Sequence, residues 1–280
     1  MISSLAWMEG KNQIQNLIYS ERDWVSYMNM QKILVTGMSG LIGGAVKKQL
    51  EGKYQLYALN RRQVDGVKCY QADMSDFDAI LPAFKEKDVV VHLAAIARSD
   101  QPWEDYLRNN IIGAYNVFEA SRRAGVKRVI FASSGATVSG WEQVFPYDAL
   151  TEGRYDKVPS TWKMLTHESP VRPKGIYGCT KVWGEALARH YSDAYGISTI
   201  CLRIGAVHSE DRPLRERDFA IWCSKRDVAC MVEKCIQAPE SVKFDIFYVV
   251  SRNKWSYRDL EHAREAVGFV PQDTADKFHS

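Results

Sequence analysis

The amino-acid sequence predicts an α/β fold, a doubly wound parallel sheet with helices on both faces, on three observations. Short apolar runs alternate with helix-like stretches along most of the chain, and the first run leads into a glycine-rich turn. The runs are apolar throughout, as in strands that are buried on both faces of a parallel sheet. Because strand–helix alternation is typical of right-handed βαβ units, we expect a Rossmann-type sheet with a small C-terminal substrate-binding part.

The elements follow in order along the chain. Strands are predicted over 32–36, 55–59, 67–71, 89–94, 128–133, 198–204 and 244–250. Helices are predicted over 42–51, 76–86, 103–124 and 177–195. Residues 140–175 are rich in Pro, Tyr, Trp and charge and show no clear period, so they are expected to form a long functional loop.

This order divides the chain into three parts. Residues 31–204 form the predicted dinucleotide-binding domain, and residues 205–280 form the small substrate-binding part. Residues 1–30 are either a helical extension or the product of an upstream start codon, because Met28 and Met30 stand just before the first strand. This segment has no hydrophobic core of the signal-peptide type.

Composition excludes several classes of function. The 280 residues carry a net charge of +3, from 37 basic and 34 acidic residues, which argues against a nucleic-acid partner. No apolar run reaches the length of a membrane span. The six cysteines form no C-x-x-C pair and no zinc-ligand spacing, so we expect no metal site and reduced thiols in a cytoplasmic protein.

The glycine-rich turn is the first candidate site. Gly37, Gly40 and Gly43 follow the first strand as G-x-x-G-x-x-G and open the first helix, a context that indicates dinucleotide binding. Gly37 permits a tight turn, Gly40 allows a pyrophosphate to approach the backbone, and Gly43 allows the helix to pack on the strand. Ser39, Leu41 and Ile42 are included among the cofactor-binding residues.

The end of the second strand indicates which dinucleotide is bound. An acidic residue here would bind the ribose 2′-hydroxyl of NAD, but the chain has Asn60 followed by Arg61 and Arg62. Because guanidinium groups pair with a 2′-phosphate, NADP is the favoured cofactor and NAD the alternative.

A tyrosine and a lysine four residues apart form the candidate catalytic pair. Tyr177 and Lys181 share a face if a helix begins at 177, and a nearby ammonium group stabilises a phenolate. The phenol could then take a proton from a substrate hydroxyl while a hydride leaves for the nicotinamide. The fifth strand ends in Ser133 and Ser134, which offer a third contact to the substrate oxygen.

Together, TGMSGLIGG (36–44) and YGCTK (177–181) resemble the extended short-chain dehydrogenases/reductases of the NAD-dependent epimerase/dehydratase family. The stretches PWEDYLRNNIIGAYNVFEA (102–120) and GFVPQDTADKF (268–278) are similar to uronate dehydrogenases and archaeal NAD-dependent glucose-6-phosphate dehydrogenases. This resemblance implies oxidation of a sugar at its anomeric carbon. It also implies a homodimer in which helices 103–124 and 177–195 pair.

The resemblance further assigns individual residues. It favours Ser134 over Ser133 as the catalytic serine, and it implies that Arg217, five residues before Trp222, binds an acidic group of the substrate. The remaining cofactor-binding residues that it implies are Asp73, Met74, Leu93, Ala94, Ala95, Asn110 and Ile204, besides Tyr177 and Lys181.

Three departures from the subgroup concern the substrate and the cofactor. Gly135 and Ala136 stand where uronate dehydrogenases have Asn-His, so two polar substrate contacts are missing. Asn60 replaces an NAD-selecting Asp, and the loop at 140–175 is longer. The expected function is an NAD(P)-dependent oxidoreductase acting on a sugar or sugar acid. The alternatives are a nucleotide-sugar epimerase or dehydratase and a non-catalytic NAD(P)-binding sensor.

Overall fold

The computed structural model describes residues 30–98 and 100–279. The predicted N-terminal extension falls almost entirely outside these residues. Within them lie the parallel strands β1 (Lys32–Thr36), β2 (Gln55–Asn60), β3 (Lys68–Gln71), β4 (Val89–His92), β5 (Arg128–Ser134), β6 (Ser198–Ile204) and β7 (Phe244–Val249). They form one sheet in the order β3-β2-β1-β4-β5-β6-β7, which confirms the predicted Rossmann-type fold.

Helices cover both faces of this sheet. They are α1 (Leu41–Leu50), α2 (Phe77–Phe84), α3 (Trp103–Tyr106), α4 (Gly113–Ala124), α5 (Tyr147–Thr151), α6 (Ile176–Tyr195), α7 (Asp218–Ile221), α8 (Lys225–Ile236) and α9 (Glu261–Val267). A π-helical segment, Leu107–Ile112, joins α3 to α4. Shorter 3-10 helices span Gly135–Gln143, Tyr155–Lys157 and Ala275–Phe278. No helix in the described part of the chain is both long and apolar enough to cross a membrane.

Successive residues of β1 explain why the predicted strands are apolar throughout. Ile33 and Val35 pack in one core cluster with side chains of α1 and α8. Leu34, between them, packs on the opposite face with side chains of α2, α4 and α6. Both faces of a strand in this position exclude water, so a polar residue at any of the three positions would lose solvation without gaining a partner.

The strand order reverses between β1 and β4, and this reversal indicates which part of the sheet edge can bind a ligand. The chain leaves β1 towards β2 on one side, whereas β4 lies on the other side of β1. Adjacent connections therefore diverge above the carboxyl ends of these two strands, where open α/β sheets hold their ligands.

Two predicted elements differ in detail. The helix predicted over 103–124 is interrupted by the π-helical segment at 107–112. The fourth strand ends at His92 rather than Ala94, because the backbone N–H of Ala94 donates to the side-chain oxygen of Thr36 (3.2 Å) instead of a strand carbonyl.

The long loop is more ordered than its sequence suggests. Residues 140–175 contain α5 and a 3-10 turn, and they dock on the segment that follows β7. The N–H of Leu165 donates to the carbonyl of Tyr257 (2.7 Å), and the carbonyl of Leu165 accepts from Asp259 (3.0 Å). Trp162 Nε1 donates to the carbonyl of Ser256 (3.1 Å). The loop and this segment therefore form one wall beside the carboxyl end of β5.

Candidate active site

The glycine turn connects β1 to α1 through close backbone contacts. Gly37 has a φ of +71°, which favours glycine, and a Cβ there would lie 2.8 Å from the backbone of Ala94. A Cβ on Gly43 would lie 2.3 Å from the carbonyl oxygen of Gly37. The first turn of α1, which contains Leu41 and Ile42, can therefore begin directly above β1. Because no side chain caps this helix at Gly40, its first N–H groups remain available to a ligand.

A cleft of about 200 Å³ opens above this turn. Most of the predicted cofactor-binding residues line it, namely Gly37, Ser39, Gly40, Asn60, Arg61, Arg62, Asp73, Met74, Leu93, Ala94 and Ala95. Four further lining residues were not predicted: Leu59, Ala72, Ile96 and Asn109. Their positions follow from the register of β2, from the loops after β3 and β4 and, for Asn109, from the π-helical segment, which a single sequence does not display.

Asn60 and the two arginines have different surroundings. Asn60 is buried at the end of β2, whereas Arg61 and Arg62 are exposed on the rim of the cleft. Neither guanidinium group makes a hydrogen bond or a close ion pair with another described residue, although the charge of Arg61 acts on Asp73. Their guanidinium groups are therefore free to meet an anionic ligand in the cleft.

Asp73 faces the same cleft from the turn after β3. It accepts hydrogen bonds from the N–H and the hydroxyl of Ser75 (2.9 and 2.8 Å), and Arg108 lies 3.0 Å away. Burial by itself raises the pKa of Asp73, but these hydrogen bonds and the charges of Arg108 and Arg61 outweigh it and leave the pKa below its ordinary value. The side chain is therefore an ionised acceptor at neutral pH.

His92 and Thr36 fix the floor of the cleft. Thr36 Oγ1 lies 2.8 Å from His92 Nδ1 and also accepts from the N–H of Ala94. Burial, with a smaller contribution from the charge of Lys181, lowers the pKa of His92 to about 3. The ring is neutral at neutral pH and holds the backbone at 92–95 in place.

Asn110 lies in the π-helical segment rather than in the cleft lining. Its amide group is paired with the backbone of Ile96, accepting from the N–H (2.8 Å) and donating to the carbonyl (3.0 Å). It also donates to Thr180 Oγ1 (3.1 Å) in the first turns of α6. The buried amide thus joins the cleft loop to the helix that carries Tyr177 and Lys181. The extra backbone residue of a π turn is common at functional sites.

Tyr177 and Ser134 come together beside Lys181. The side chain of Tyr177 lies beside that of Ser134, whose hydroxyl oxygen accepts from the N–H of Ala136 (3.1 Å). Lys181 Nζ lies 5.7 Å from the centre of the Tyr177 ring and donates to the carbonyl of Ala132 (2.7 Å). Ser133 instead donates to Glu185 (2.6 Å) inside the protein. Ile204 pairs with Ser134 across the sheet at the end of β6.

The acidity of Tyr177 differs from the expectation. Burial raises its pKa above the ordinary 10.0, the hydrogen bond from Ser134 acts in the opposite direction, and Tyr106 adds to the rise. Burial also lowers the pKa of Lys181 to about 8. In the protein alone, desolvation therefore outweighs the expected effect of the ammonium group, because Lys181 points its donor at a backbone carbonyl rather than at the phenol.

Arg217 lies in a cluster that the sequence did not predict. Its Nε and Nη2 donate to the two oxygens of Glu142, both at 2.7 Å. Tyr257 donates to Glu142 Oε1 (2.6 Å), and Arg258 Nη2 lies 4.0 Å from the same oxygen. The guanidinium group of Arg217, which was predicted to bind the substrate, is therefore paired with a carboxylate of this chain. Glu142 sits in the aperiodic loop, so no sequence pattern indicated the pairing.

The residues of the cleft fit a dinucleotide. Gly37 and Gly43 provide a turn that a Cβ would obstruct, the uncapped start of α1 offers N–H donors, and polar side chains stand on the rim. No group of three or more His, Cys, Asp or Glu side chains that could hold a metal ion occurs among residues 30–98 and 100–279.

Comparisons with known proteins agree with this architecture. The model of the NAD dependent epimerase/dehydratase family matches residues 33–222. The chain is 32% identical over 263 residues to the NAD-dependent glucose-6-phosphate dehydrogenase of Haloferax volcanii, covering 89% of this chain and 95% of that one. It is 29% identical over 255 residues to the L-arabinose 1-dehydrogenase (NAD(P)(+)) of the same organism, covering 88% and 98%.

A solved structure is similar over the same part of the chain. A mutant uronate dehydrogenase from Agrobacterium tumefaciens, complexed with NAD, superimposes with a TM-score of 0.75 at 31% identity, covering 89% of this chain and 87% of that one. These findings confirm the predicted resemblance and the prediction of an enzyme in this dehydrogenase and epimerase group. The chain belongs to the NAD dependent epimerase/dehydratase family.

Proposed function

We propose that this protein is an NAD(P)-dependent sugar dehydrogenase that uses Ser134, Tyr177 and Lys181. One observation carries the proposal: the side chains of Ser134 and Tyr177 meet at the carboxyl end of β5, with Lys181 one helical turn further along α6. The relatives named above are a sugar-phosphate dehydrogenase and a sugar dehydrogenase, which supports a small carbohydrate as the substrate.

Each side chain has a distinct role in this proposal. When bound, a nicotinamide dinucleotide supplies the hydride acceptor and, in its oxidised form, a positive charge. The deprotonated Oη of Tyr177 would take the proton of the substrate hydroxyl as the adjoining carbon loses a hydride to that acceptor. Ser134 holds the substrate oxygen, and Lys181 and Asn110 keep the start of α6 in place through the carbonyl of Ala132 and the hydroxyl of Thr180. Since burial raises the pKa of Tyr177, the cofactor's charge must contribute to its activation.

For the cofactor, we favour NADP and keep NAD as the alternative. Arg61 and Arg62 stand exposed on the rim of the cleft, and Asn60 brings no negative charge to repel a 2′-phosphate. The other proposed cofactor contacts are the lining residues of the cleft and Leu41, Ile42, Gly43, Asn110 and Ile204 around it.

We further propose that the 205–280 part contributes the substrate side of the site and that the protein is a homodimer. Large apolar side chains are exposed along the helices 103–124 and α6, which supports a second copy of this chain as their partner. These side chains are Trp103, Ile112, Tyr115, Ile176, Trp183 and Tyr195. Arg217 stays a predicted substrate contact, although Glu142 holds one edge of its guanidinium group.

The decisive experiment combines a substrate screen with one substitution. Aldoses, uronates and sugar phosphates are incubated with NAD and with NADP, and reduced cofactor and products are measured. We expect Tyr177→Phe to lower kcat by about 10²- to 10⁴-fold, because the proton acceptor is lost. Tyr54→Phe, which removes a hydroxyl bonded to Gln237 outside the site, serves as the control. Turnover unchanged by Tyr177→Phe, or no turnover of any sugar, contradicts the proposal.

A further inference from the structure

The space in front of Gly135 is filled by a side chain from the far end of the sequence. Gly135 directly follows Ser134, and a Cβ built on it would lie 2.3 Å from Cζ, Nη1 and Nη2 of Arg258. A residue other than glycine at 135 would therefore displace this guanidinium group. Gly135 also stands at a position where the resemblance implies a polar substrate contact, so Arg258 occupies the place of that missing side chain.

The guanidinium group of Arg258 is buried with unused donors. Arg258 is 1% exposed, and its Nε and Nη1 have no hydrogen-bond partner among the described residues. Buried donors are normally paired, and leaving a charged one unpaired is costly. Arg128 provides a contrast within the same molecule, because its buried guanidinium donates to Ser198 and to four backbone carbonyls.

The charges around Arg258 do not balance. The nearest carboxylate, Glu142, already accepts two hydrogen bonds from Arg217 and one from Tyr257. Arg203, another buried cation on this side, is paired with Glu185 at 2.9 Å. Arg217 and Arg258 therefore share one carboxylate, which leaves Arg258 without a carboxylate of its own.

We propose that Arg258 binds an anionic oxygen group of the substrate, a carboxylate or a phosphate, and so determines specificity for acidic over neutral sugars. The inference rests on the proposed function, because it takes the substrate to be a sugar held at Ser134. Besides its predicted contact with the substrate, Arg217 occupies Glu142, so that this carboxylate does not neutralise Arg258. Because Gly135 has no side chain, the guanidinium group has room to reach the substrate side of the carboxyl end of β5.

The test compares acidic and neutral sugars in Arg258→Met. Kinetics are measured with glucuronate, glucose 6-phosphate and glucose. The three sugars show whether Arg258 binds a carboxylate, a phosphate or neither. We expect KM for the preferred acidic sugar to rise about 10- to 100-fold, as when a hydrogen bond to a charged group is lost, with KM for glucose changed less than about threefold. Arg252→Met, an exposed arginine in the same segment, is the control.

A second variant and a binding measurement keep the result clear if Arg258→Met folds poorly. Gly135→Ala must move the guanidinium group, so it should raise the same KM, and the double variant should add little to either single change. Melting temperatures with each sugar provide a readout without turnover. The inference is supported if an acidic sugar raises the melting temperature of the wild type and this rise is lost in Gly135→Ala and Arg258→Met. This result supports it even if no sugar is oxidised and the proposed function fails. An unchanged preference between acidic and neutral sugars in both variants, or a wild type that neither binds nor oxidises acidic sugars, overturns it.

Discussion

Asn60 is the residue on which the proposed preference for NADP depends first, because it stands where an acidic residue would bind the ribose 2′-hydroxyl of NAD. It is buried at the end of β2, and the two residues after it are exposed arginines on the cleft rim. In the proposal, the choice of cofactor depends on the neutral side chain of Asn60 and on the charges of the two arginines that follow it. Since none of the three is used in an ion pair within the described protein, substitution there should affect cofactor choice without affecting the fold.

Replacing both arginines tests this assignment. In Arg61→Ala/Arg62→Ala we expect KM for NADP to rise at least about tenfold, because a charge-assisted contact with the 2′-phosphate is lost, while KM for NAD stays nearly constant. Steady-state kinetics with both cofactors provides the measurement. Arg154→Ala, whose partners Asp148 and Glu152 lie outside the cleft, is the control. A wild type that already prefers NAD would show the NADP assignment to be wrong.

Some residues of the candidate site could be predicted from the sequence and others could not. Tyr177 and Lys181 could be named from their spacing on a helix, and the end of β5 offered Ser133 and Ser134, between which only the family resemblance favoured Ser134. Glu142 and Arg258 could not be named, because one lies in an aperiodic loop and the other after the last strand. Only the three-dimensional path of the loop brings the two near Gly135.

At the scale of elements, α1 contains two neighbouring glycines, Gly43 and Gly44. Substituting each in turn distinguishes the effect of packing from the effect of helix propensity. Gly43 is buried against the turn, where a Cβ would lie 2.3 Å from the carbonyl oxygen of Gly37 and 2.6 Å from Cα of Met38. Gly44 is exposed, and a Cβ there would meet nothing within 4 Å. The two neighbours share a helix and a residue type but differ in their surroundings.

Alanine substitutions should therefore have opposite effects. Gly44→Ala should stabilise the protein by about 0.5–1 kcal/mol, because alanine favours the helix more than glycine. Gly43→Ala should destabilise it by about 1–3 kcal/mol and weaken dinucleotide binding, because α1 must move away from β1. Chemical unfolding and cofactor titration measure the two effects. Equal stabilisation by both changes would mean that α1 does not pack on the turn as described.

The strands and most long helices were predicted more accurately than the π-helical segment, for a physical reason. The strands and the helices α1, α2 and α6 agree with prediction within two residues at each end, because hydrophobic burial on a sheet leaves a clear apolar pattern. The π-helical segment left no such signal. Its extra residue is stabilised by the pairing of Asn110 with Ile96 and Thr180, contacts between parts of the chain that are distant in sequence.

For the whole molecule, the exposed apolar side chains on two adjacent helices predict an assembly. Trp183 of α6 is 40% exposed and lies among the apolar residues of this surface. If two copies pair there, Trp183→Glu should place a charge in a buried interface and shift the dimer towards monomer. Light scattering after size-exclusion chromatography measures the mass. Phe145→Glu, at a 60% exposed position outside both helices, should leave the mass unchanged. A monomeric wild type would rule out the dimer.

Residues 140–175 dock on the segment after β7, and this contact limits when they can finish folding during synthesis. On a ribosome, the loop emerges well before residues 255–259, the segment to which Leu165 and Trp162 are hydrogen bonded. Until that segment arrives, Tyr147 and Leu165 lack the aromatic ring of Tyr257 that buries them. The nascent chain can thus form strands β1 to β6 while this wall stays unfinished until translation is nearly over, and a prematurely terminated polypeptide would expose that apolar surface.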